Sequence, residues 1–548
     1  MRASVLLPAA ALAVSPLDAQ PGVRGEPNAR AAYEVGGELE SYLRSLQAVG
    51  AVPVQPWSLR GFSPVELDRL LTTDSLHPWS GRFDLAPRER RRFAAWVAPT
   101  SLGLRYNSGF ALGSNDGAVW AGRGVTTTFQ AGAGLRWGPL TLVAAPVAFW
   151  TQNAAFPLYE NGRSGPAAFG DGIYPTVVDR PQRFGGDAYG RMDAGDSEVR
   201  LDALGAAVGF SNVHQWWGPA QRFPFLLGTN AAGFPHVFAG TSRPANLWLV
   251  KAHARVLWGR LEQSDYFEPV GIARTRRFAT GLIFAVQPRG LENLEIGAAR
   301  FVHAPWPDSG LPNRYLTRAF EGLLKRSLRP VANPIPGDAR SSDGENQLAS
   351  VFARLVVPGS GFEVYSEFGR EDHSWDLRSL LLHPDELSSL TVGARKTWHR
   401  GPDGLVVLRG ESINFQEGSV SRTRGARAVY AHASGSNQGH TQRGQLLGAD
   451  VGVGSAAGAF VALDVVDRSG RWTIDWQRIV RQEREVAEPE EGTVRGALDV
   501  QHSVGLSRLL LTRRLDVTAG VNWTYNFDRN FAGDRQNLGV VVSVGARR

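Results

Sequence analysis

Cysteine is absent from the 548-residue chain. That excludes a disulfide framework, a catalytic thiol and any zinc site built on thiolates. Methionine occurs twice. There is no apolar run of about 18 residues, so no helix here spans a bilayer. Lysine is nearly missing: with only Lys251, Lys325 and Lys396, the remaining 56 of 59 basic residues are arginine. A GC-rich genome writes part of that bias, so it is not a nucleic-acid signal by itself. The net charge of +7 is spread along the chain. The basic run Arg88–Arg92 (RERRR) reads as a solvated helix face. Nucleic acid is not an expected partner. Aromatic residues are plentiful at 10%, with 16 Trp, which argues against a disordered chain.

Residues 1–19 (MRASVLLPAAALAVSPLDA) read as a signal peptide, with Arg2 before the apolar core Val5–Val14 and cleavage after Ala19. An exported protein without thiols suits an oxidising envelope. Residues 20–99 read as a helical region. Val35, Leu39, Leu43, Leu46 and Val49 recur at close to helical spacing. Ser63, Pro64 and Glu66 form a helix-start signature before Leu67, Leu70 and Leu71. Two or three helices are expected.

From residue 100 onward the apolar period is two. Between Leu515 and Phe527, Leu515, Val517, Ala519, Val521, Trp523, Tyr525 and Phe527 alternate with polar residues or glycine. The same pattern runs through Trp248–Trp258, Leu498–Ser507 and Leu538–Val544. A soluble sandwich also alternates, but strands of about 10–13 residues with aromatic ends suit a tilted crossing of a bilayer. Connection lengths alternate too. Leu511–Arg514, Asp467–Gly470, His399–Gly404, Pro358–Gly361 and Gln287–Asn293 are short. Asp528–Asn537, Arg481–Gly496, Arg370–Ser388, His303–Gln347 and Glu262–Arg276 are long. Short periplasmic turns facing long outer loops are the outer-membrane pattern. The fold expected is therefore all-β: a transmembrane antiparallel β-barrel over 100–548, with the N-terminal helices and the C-terminus in the periplasm. Twelve strands follow Leu247. Four more are expected near 101–110, 126–137, 140–150 and 199–210, and 211–246 holds room for another pair. The total is sixteen to eighteen, with eighteen favoured.

Residues 210–267 carry Trp216-Trp217-Gly218-Pro219, Asn230-Ala231, Gly233-Phe234-Pro235, Arg243-Pro244 and Trp258-Gly259. Together with Tyr365–His373 (YSEFGREDH), Gly439–Gly448 (GHTQRGQLLG) and the opening from Leu43 to Ser63, these islands resemble the capsule assembly Wzi family of outer-membrane proteins. The resemblance implies an eighteen-stranded barrel, a periplasmic helical bundle and a lectin-like role in attaching capsular polysaccharide. The chain departs from common barrel practice by ending Gly545-Ala546-Arg547-Arg548 rather than on an aromatic residue.

Candidate polysaccharide-binding residues are Trp216, Trp217, Asn230, His236, Arg243, Tyr266, Asp372, His373, Trp375, His440 and Arg443. Indole stacks on the C–H face of a sugar; it also packs strand ends, and strict alternation leaves at most one of Trp216 and Trp217 for a ligand. Asn230 matches vicinal hydroxyls, or serves a tight turn. Arg243 suits an acidic sugar, or a lumen salt bridge. The acidic stretch Glu371, Asp372, His373 and Asp376 reads as an outer loop, with calcium the alternative. No HExxH, phosphate loop or G-x-S-x-G elbow occurs. The expectation is a non-enzymatic, cofactor-free monomer that contacts polysaccharide and outer-membrane lipid. A porin is the alternative. His303–Gln347, with a helical stretch Arg314–Leu328, is long enough to plug the lumen.

Overall fold

A computed structural model describes residues 35–60, 77–79, 92–268, 276–306, 313–322, 345–371, 377–416, 428–431, 438–487, 494–531 and 533–546. The signal-peptide reading, the helix expected from Ser63, the basic run 88–91 and the acidic stretch 372–376 lie outside them.

Among the described residues, eighteen antiparallel strands close into a barrel. The first six are β1 (Phe93–Asn107), β2 (Gly124–Trp137), β3 (Leu140–Ala144, resuming as Val147–Thr151), β4 (Tyr189–Asp193, resuming as Glu198–Ala203), β5 (Ala206–Ser211) and β6 (His236–Thr241, resuming as Ala245–Asn246). Then come β7 (Val250–Glu262), β8 (Arg276–Pro288), β9 (Leu294–Pro305), β10 (Asn346–Val357), β11 (Phe362–Glu371) and β12 (Ser388–His399). The last six are β13 (Leu405–Gln416), β14 (Ala457–Asp467), β15 (Gly470–Ala487), β16 (Val494–Leu511), β17 (Leu515–Phe527) and β18 (Arg535–Ala546). Closure is made by β18 on β1, in register from Thr100/Ala546 to Asn107/Gly539. Closing the sheet leaves no edge in lipid, where an unpaired amide has no partner.

The alternation read in the sequence is the alternation of the wall. On β17, Leu515, Val521, Trp523 and Phe527 are exposed outward, while Thr524 and Asn526 are fully buried inside. Trp137, Trp398 and Trp472 stand exposed toward the short turns; Trp150, Trp523 and Phe527 stand exposed toward the long loops. These are the two aromatic girdles of a membrane barrel.

Several boundaries differ from the sequence reading. Barrel strand begins at Phe93, inside the segment read as helical, because the period-two pattern starts there without a turn signal. The stretch 199–210 is two strands, joined by the two-residue turn Leu204-Gly205 with φ of 52° and 84°, the geometry favoured in tight hairpins. Pro146, which has no N–H to give the ladder, interrupts β3. Residues 211–246 add one strand, β6, rather than a pair. Helix α1 (Glu38–Ala48) is the one α-helix of the described N-terminal segment. It is not a separate layer beneath the barrel. It enters the short-turn end, where Leu39, Leu43 and Leu46 pack in a cluster with the strand residues Leu405, Val407, Val466 and Leu509.

The described part of the long β9–β10 connection, residues 313–322, does not enter the lumen. Residues 313–322 lie on the outer wall. Outward-facing Phe278, Val302 and Ala304 are buried beneath that segment, Phe278 meets Tyr315 edge-on at 4.9 Å, and the Trp258 indole N–H donates to the Leu316 carbonyl at 3.0 Å. Outward-facing Arg300 explains the placement. A guanidinium on a lipid-facing wall needs acceptors, and Arg300 donates to Gln347 at 2.6 Å and to the Ala319 and Glu321 carbonyls.

A charge in the outward belt should therefore be expensive only at mid-depth. Val521→Arg, halfway along β17, is expected to lower unfolding stability in lipid vesicles by about 2–4 kcal/mol. Leu204→Arg, in an exposed short turn, should change it by about 0–1 kcal/mol in the same urea titration.

Candidate functional site

The lumen of an eighteen-stranded barrel is too wide for wall side chains to fill. Here the connections β3–β4 and β5–β6, with residues 428–431 and 438–456 of the β13–β14 connection, fold inward and fill it. Val178, Trp217, Phe223, Phe225, Leu226, Leu227, Tyr430 and Leu446 form one buried cluster with inward Ile283, Phe301, Phe352 and Ile413.

Wall carboxylates hold this plug by its backbone. Glu411 on β13 accepts the successive amides of Gln221 (2.5 Å), Arg222 (3.0 Å) and Phe223 (2.6 Å), and the Tyr365 hydroxyl at 2.6 Å. Glu295 on β9 accepts Trp57 N–H at 2.9 Å and Ser58 N–H at 2.8 Å. Glu371, at the end of β11, accepts the Tyr430 amide. Glu363 on β11 pairs with Arg44 of α1 and with Arg354 at 3.2 Å. A buried carboxylate needs such donors, and each charged hydrogen bond contributes about 1.5–3 kcal/mol.

Of the eight sequence-read residues that the structure describes, five fall in this plug. Trp216 and Trp217 are both buried, at 2% and 0% exposure. They pair with Arg60 and Leu59 in a two-residue ladder. Arg60 lies over Trp216 at 4.1 Å, and the Trp216 indole donates to the Ala220 carbonyl at 3.0 Å. The expectation that the pair would split between inside and outside is corrected, because the ladder lies inside the lumen with protein on both faces. Gly218 follows at φ +95°, where an added Cβ would strike the Glu367 carboxylate. The Pro219 carbonyl accepts from Arg44 at 2.8 Å. His236 is buried on β6 against the Phe234 carbonyl at 2.8 Å. His440 is buried, 2.6 Å from the Leu226 carbonyl, and burial lowers its pKa to about 4. Arg443 ties the plug to the wall through Asp193 (2.7 Å) and Glu262 (2.6 Å).

Arg243 is exposed in the break of β6, beside the short turn at Gly205. It sits at the opposite end of the barrel from the long loops and joins none of the other candidates. Tyr266 is at the loop end, edge-on to Phe184 at 5.7 Å. Asp372, His373 and Trp375 lie outside the described residues.

The plug does not fill the lumen evenly. A cavity of about 240 Å³ runs beside β1 and β15–β18, lined by Arg105, Arg222, Asp475, Gln477, Arg481 and Gln501. A second, of about 170 Å³, shares Gly113, Asp450, Arg481 and Gln501 with it and is lined by the loop residues Trp120, Arg180, Asn230, Gln445, Arg529 and Asn530. Asn230 is the one sequence-read candidate on this lining. The arginines were missed because they come from five separate stretches of chain, with no local motif. Burial raises the Asp450 pKa against the opposing charges of Arg481, Arg180 and Arg222. Burial and the neighbouring Arg481 charge lower the Arg529 pKa to about 10, so it stays protonated at neutral pH.

Glu411→Ala is expected to leave three buried amides without an acceptor and to weaken the plug by on the order of 3 kcal/mol or more. Hydrogen exchange should quicken at 221–223 before the barrel strands exchange. Acid should also loosen the plug. A His440 pKa below its unfolded value contributes stability that is present above about pH 6.5 and is lost as pH falls toward 4, at most about 3 kcal/mol. Asp179, buried against Ser264 with its pKa raised to about 6, acts in the opposite sense between about 4 and 6. His440→Asn should therefore make exchange at 438–447 less acid-sensitive than in the native chain.

No family model and no curated protein matches the chain. Among solved structures, it is similar to Wzi of Escherichia coli, described as an outer-membrane protein involved in group 1 capsule assembly and a carbohydrate-binding β-barrel. The TM-score is 0.56 and the identity 12%, over 93% of this chain and 98% of that one. OccK5 (OpdH) of Pseudomonas aeruginosa matches at TM-score 0.37 and 11% identity, over 82% and 98% of the two chains. OccAB2 of Acinetobacter baumannii matches at 0.39 and 7%, over 82% and 97%. The likeness in fold to Wzi runs over almost the full length of both chains.

Proposed function

We propose that the protein is an outer-membrane, non-enzymatic barrel that binds polysaccharide at the cell surface and helps to attach it there. The observation that carries this reading is the plugged lumen with a polar, arginine- and tryptophan-lined cavity left open at the long-loop end. A diffusion pore needs a continuous aqueous path, whereas apolar side chains and wall-anchored backbone occupy this lumen. Amide, guanidinium and indole groups around the remaining cavity suit hydroxyls and the C–H faces of sugars. The likeness in fold to a carbohydrate-binding barrel agrees with it. In this reading the long loops face outward, and α1, the short turns and the C-terminus face the periplasm. Among the sequence-read candidates, Asn230 on the cavity lining and Tyr266 at the long-loop end support this reading.

Deleting the gene should lower cell-attached polysaccharide and raise the amount released to the medium, with total polymer unchanged. Purified protein in a planar bilayer should show no steady open conductance. Unchanged retention on the deletion cells, or a stable open pore, would sink the proposal.

A further inference from the structure

The loop-end cavity is more specific than a general sugar surface, because two of the arginines around it have no carboxylate partner among the described residues. Arg105 is held by both oxygens of Asp116, at 2.5 and 2.7 Å. Arg180 pairs with Asp171 at 2.8 Å. Arg481 donates to the neutral Gln501 at 2.6 Å. Arg529 rests over the Phe110 ring at 4.1 Å, and among the described residues its guanidinium has no hydrogen-bond acceptor. A nearby carboxylate, Asp499, accepts the Asn530 amide at 3.0 Å instead. Asp450 lines the cavity without a direct ion pair among the described residues. Two arginines with no carboxylate partner thus converge on a space shared with one lone carboxylate.

The same lining carries an unmet acceptor. The Gln445 side chain donates to the Asn230 carbonyl at 3.2 Å, while its buried Oε1 receives nothing among the described residues. Trp120 completes the wall. At about 170 Å³ the space equals roughly six waters' share of liquid volume, room for one pyranose ring rather than a folded chain. A free guanidinium fork binds a carboxylate in bidentate fashion. An orphan acceptor beside it needs a hydroxyl donor. An indole face takes a ring's C–H side. A bare phosphate would satisfy the first of these alone.

We propose that this cavity is a subsite for one carboxylate-bearing sugar ring, a hexuronate, with Arg529 and Arg481 taking the carboxylate, Gln445 and Asn230 the hydroxyls, and Trp120 the ring face. The proposal rests on the polysaccharide-binding reading and names the chemical class of polymer that the site selects.

The test is calorimetric titration of the full-length protein in detergent with trisaccharides of galacturonate, glucuronate and mannuronate, each beside its carboxyl-reduced counterpart, and with inorganic phosphate as competitor. At least one uronate should bind tenfold or more tighter than its reduced form, a difference of about 1.4 kcal/mol. Arg529→Gln should remove that preference, Arg529→Lys should retain part of it, and phosphate should compete poorly. Equal binding of acid and reduced forms overturns the subsite while leaving polysaccharide binding intact. Displacement by phosphate as effective as by the uronate overturns the sugar assignment. No saccharide binding at all overturns the subsite, and the reading beneath it then stands or falls on retention by the deletion strain. Should Arg529→Gln fail to fold, the acid-versus-reduced comparison on the native chain decides alone.

Discussion

Four carboxylates on the inner wall, Glu295, Glu363, Glu371 and Glu411, cannot stand in a closed lumen without donors. Each is buried to within a few percent of complete, and an isolated buried carboxylate is far too costly to persist. Each takes at least one donor from chain that is not barrel: α1 and the segment after it, the β5–β6 connection, or the β13–β14 connection. The wall and its plug therefore complete each other. A barrel without the plug would flood to solvate these groups, and a plug without the wall would leave its backbone amides bare.

This constraint accounts for the asymmetry of the interior. The carboxylates that capture backbone lie on β9, β11 and β13, so the inward connections are drawn toward that arc. The opposite arc, β15–β18 with β1, faces the cavities. The arginines gathered there are only partly neutralised, whereas Arg44 and Arg354, on the filled side, share Glu363. The same logic, applied to the outside, draws residues 313–322 across the wall to satisfy Arg300.

Much of the fold was legible because a barrel writes its wall as a local pattern. Leu515–Phe527 was read as one strand from alternation alone, and that is its extent. The alternating connection lengths gave the pairing of neighbours. The candidate site was far less legible. Trp216 and Trp217 look like a sugar platform in sequence, but their ladder with Leu59 and Arg60 turns both into packing residues, and nothing local announces a partner more than 150 residues away. The β9–β10 connection had the length of a plug, yet its described part, 313–322, lies on the outer wall, held there by one outward arginine. Arg243 looked like a ligand residue and sits at the short-turn end, apart from the other candidates, since strand parity within β5 and β6 decides which end a loop residue occupies.

By itself, the sequence determined the membrane-facing pattern, the long-loop and short-turn sides, and the exclusion of thiol and helical-span chemistry. Each of these follows from residue type and spacing within about a dozen residues. Tertiary structure alone decided which connections enter the lumen, that the paired tryptophans are buried, and that Arg529, Arg481, Gln445 and Trp120 share one cavity. Those groups are from 36 to more than 400 residues apart in the chain, and only closure of the sheet brings them around one cavity.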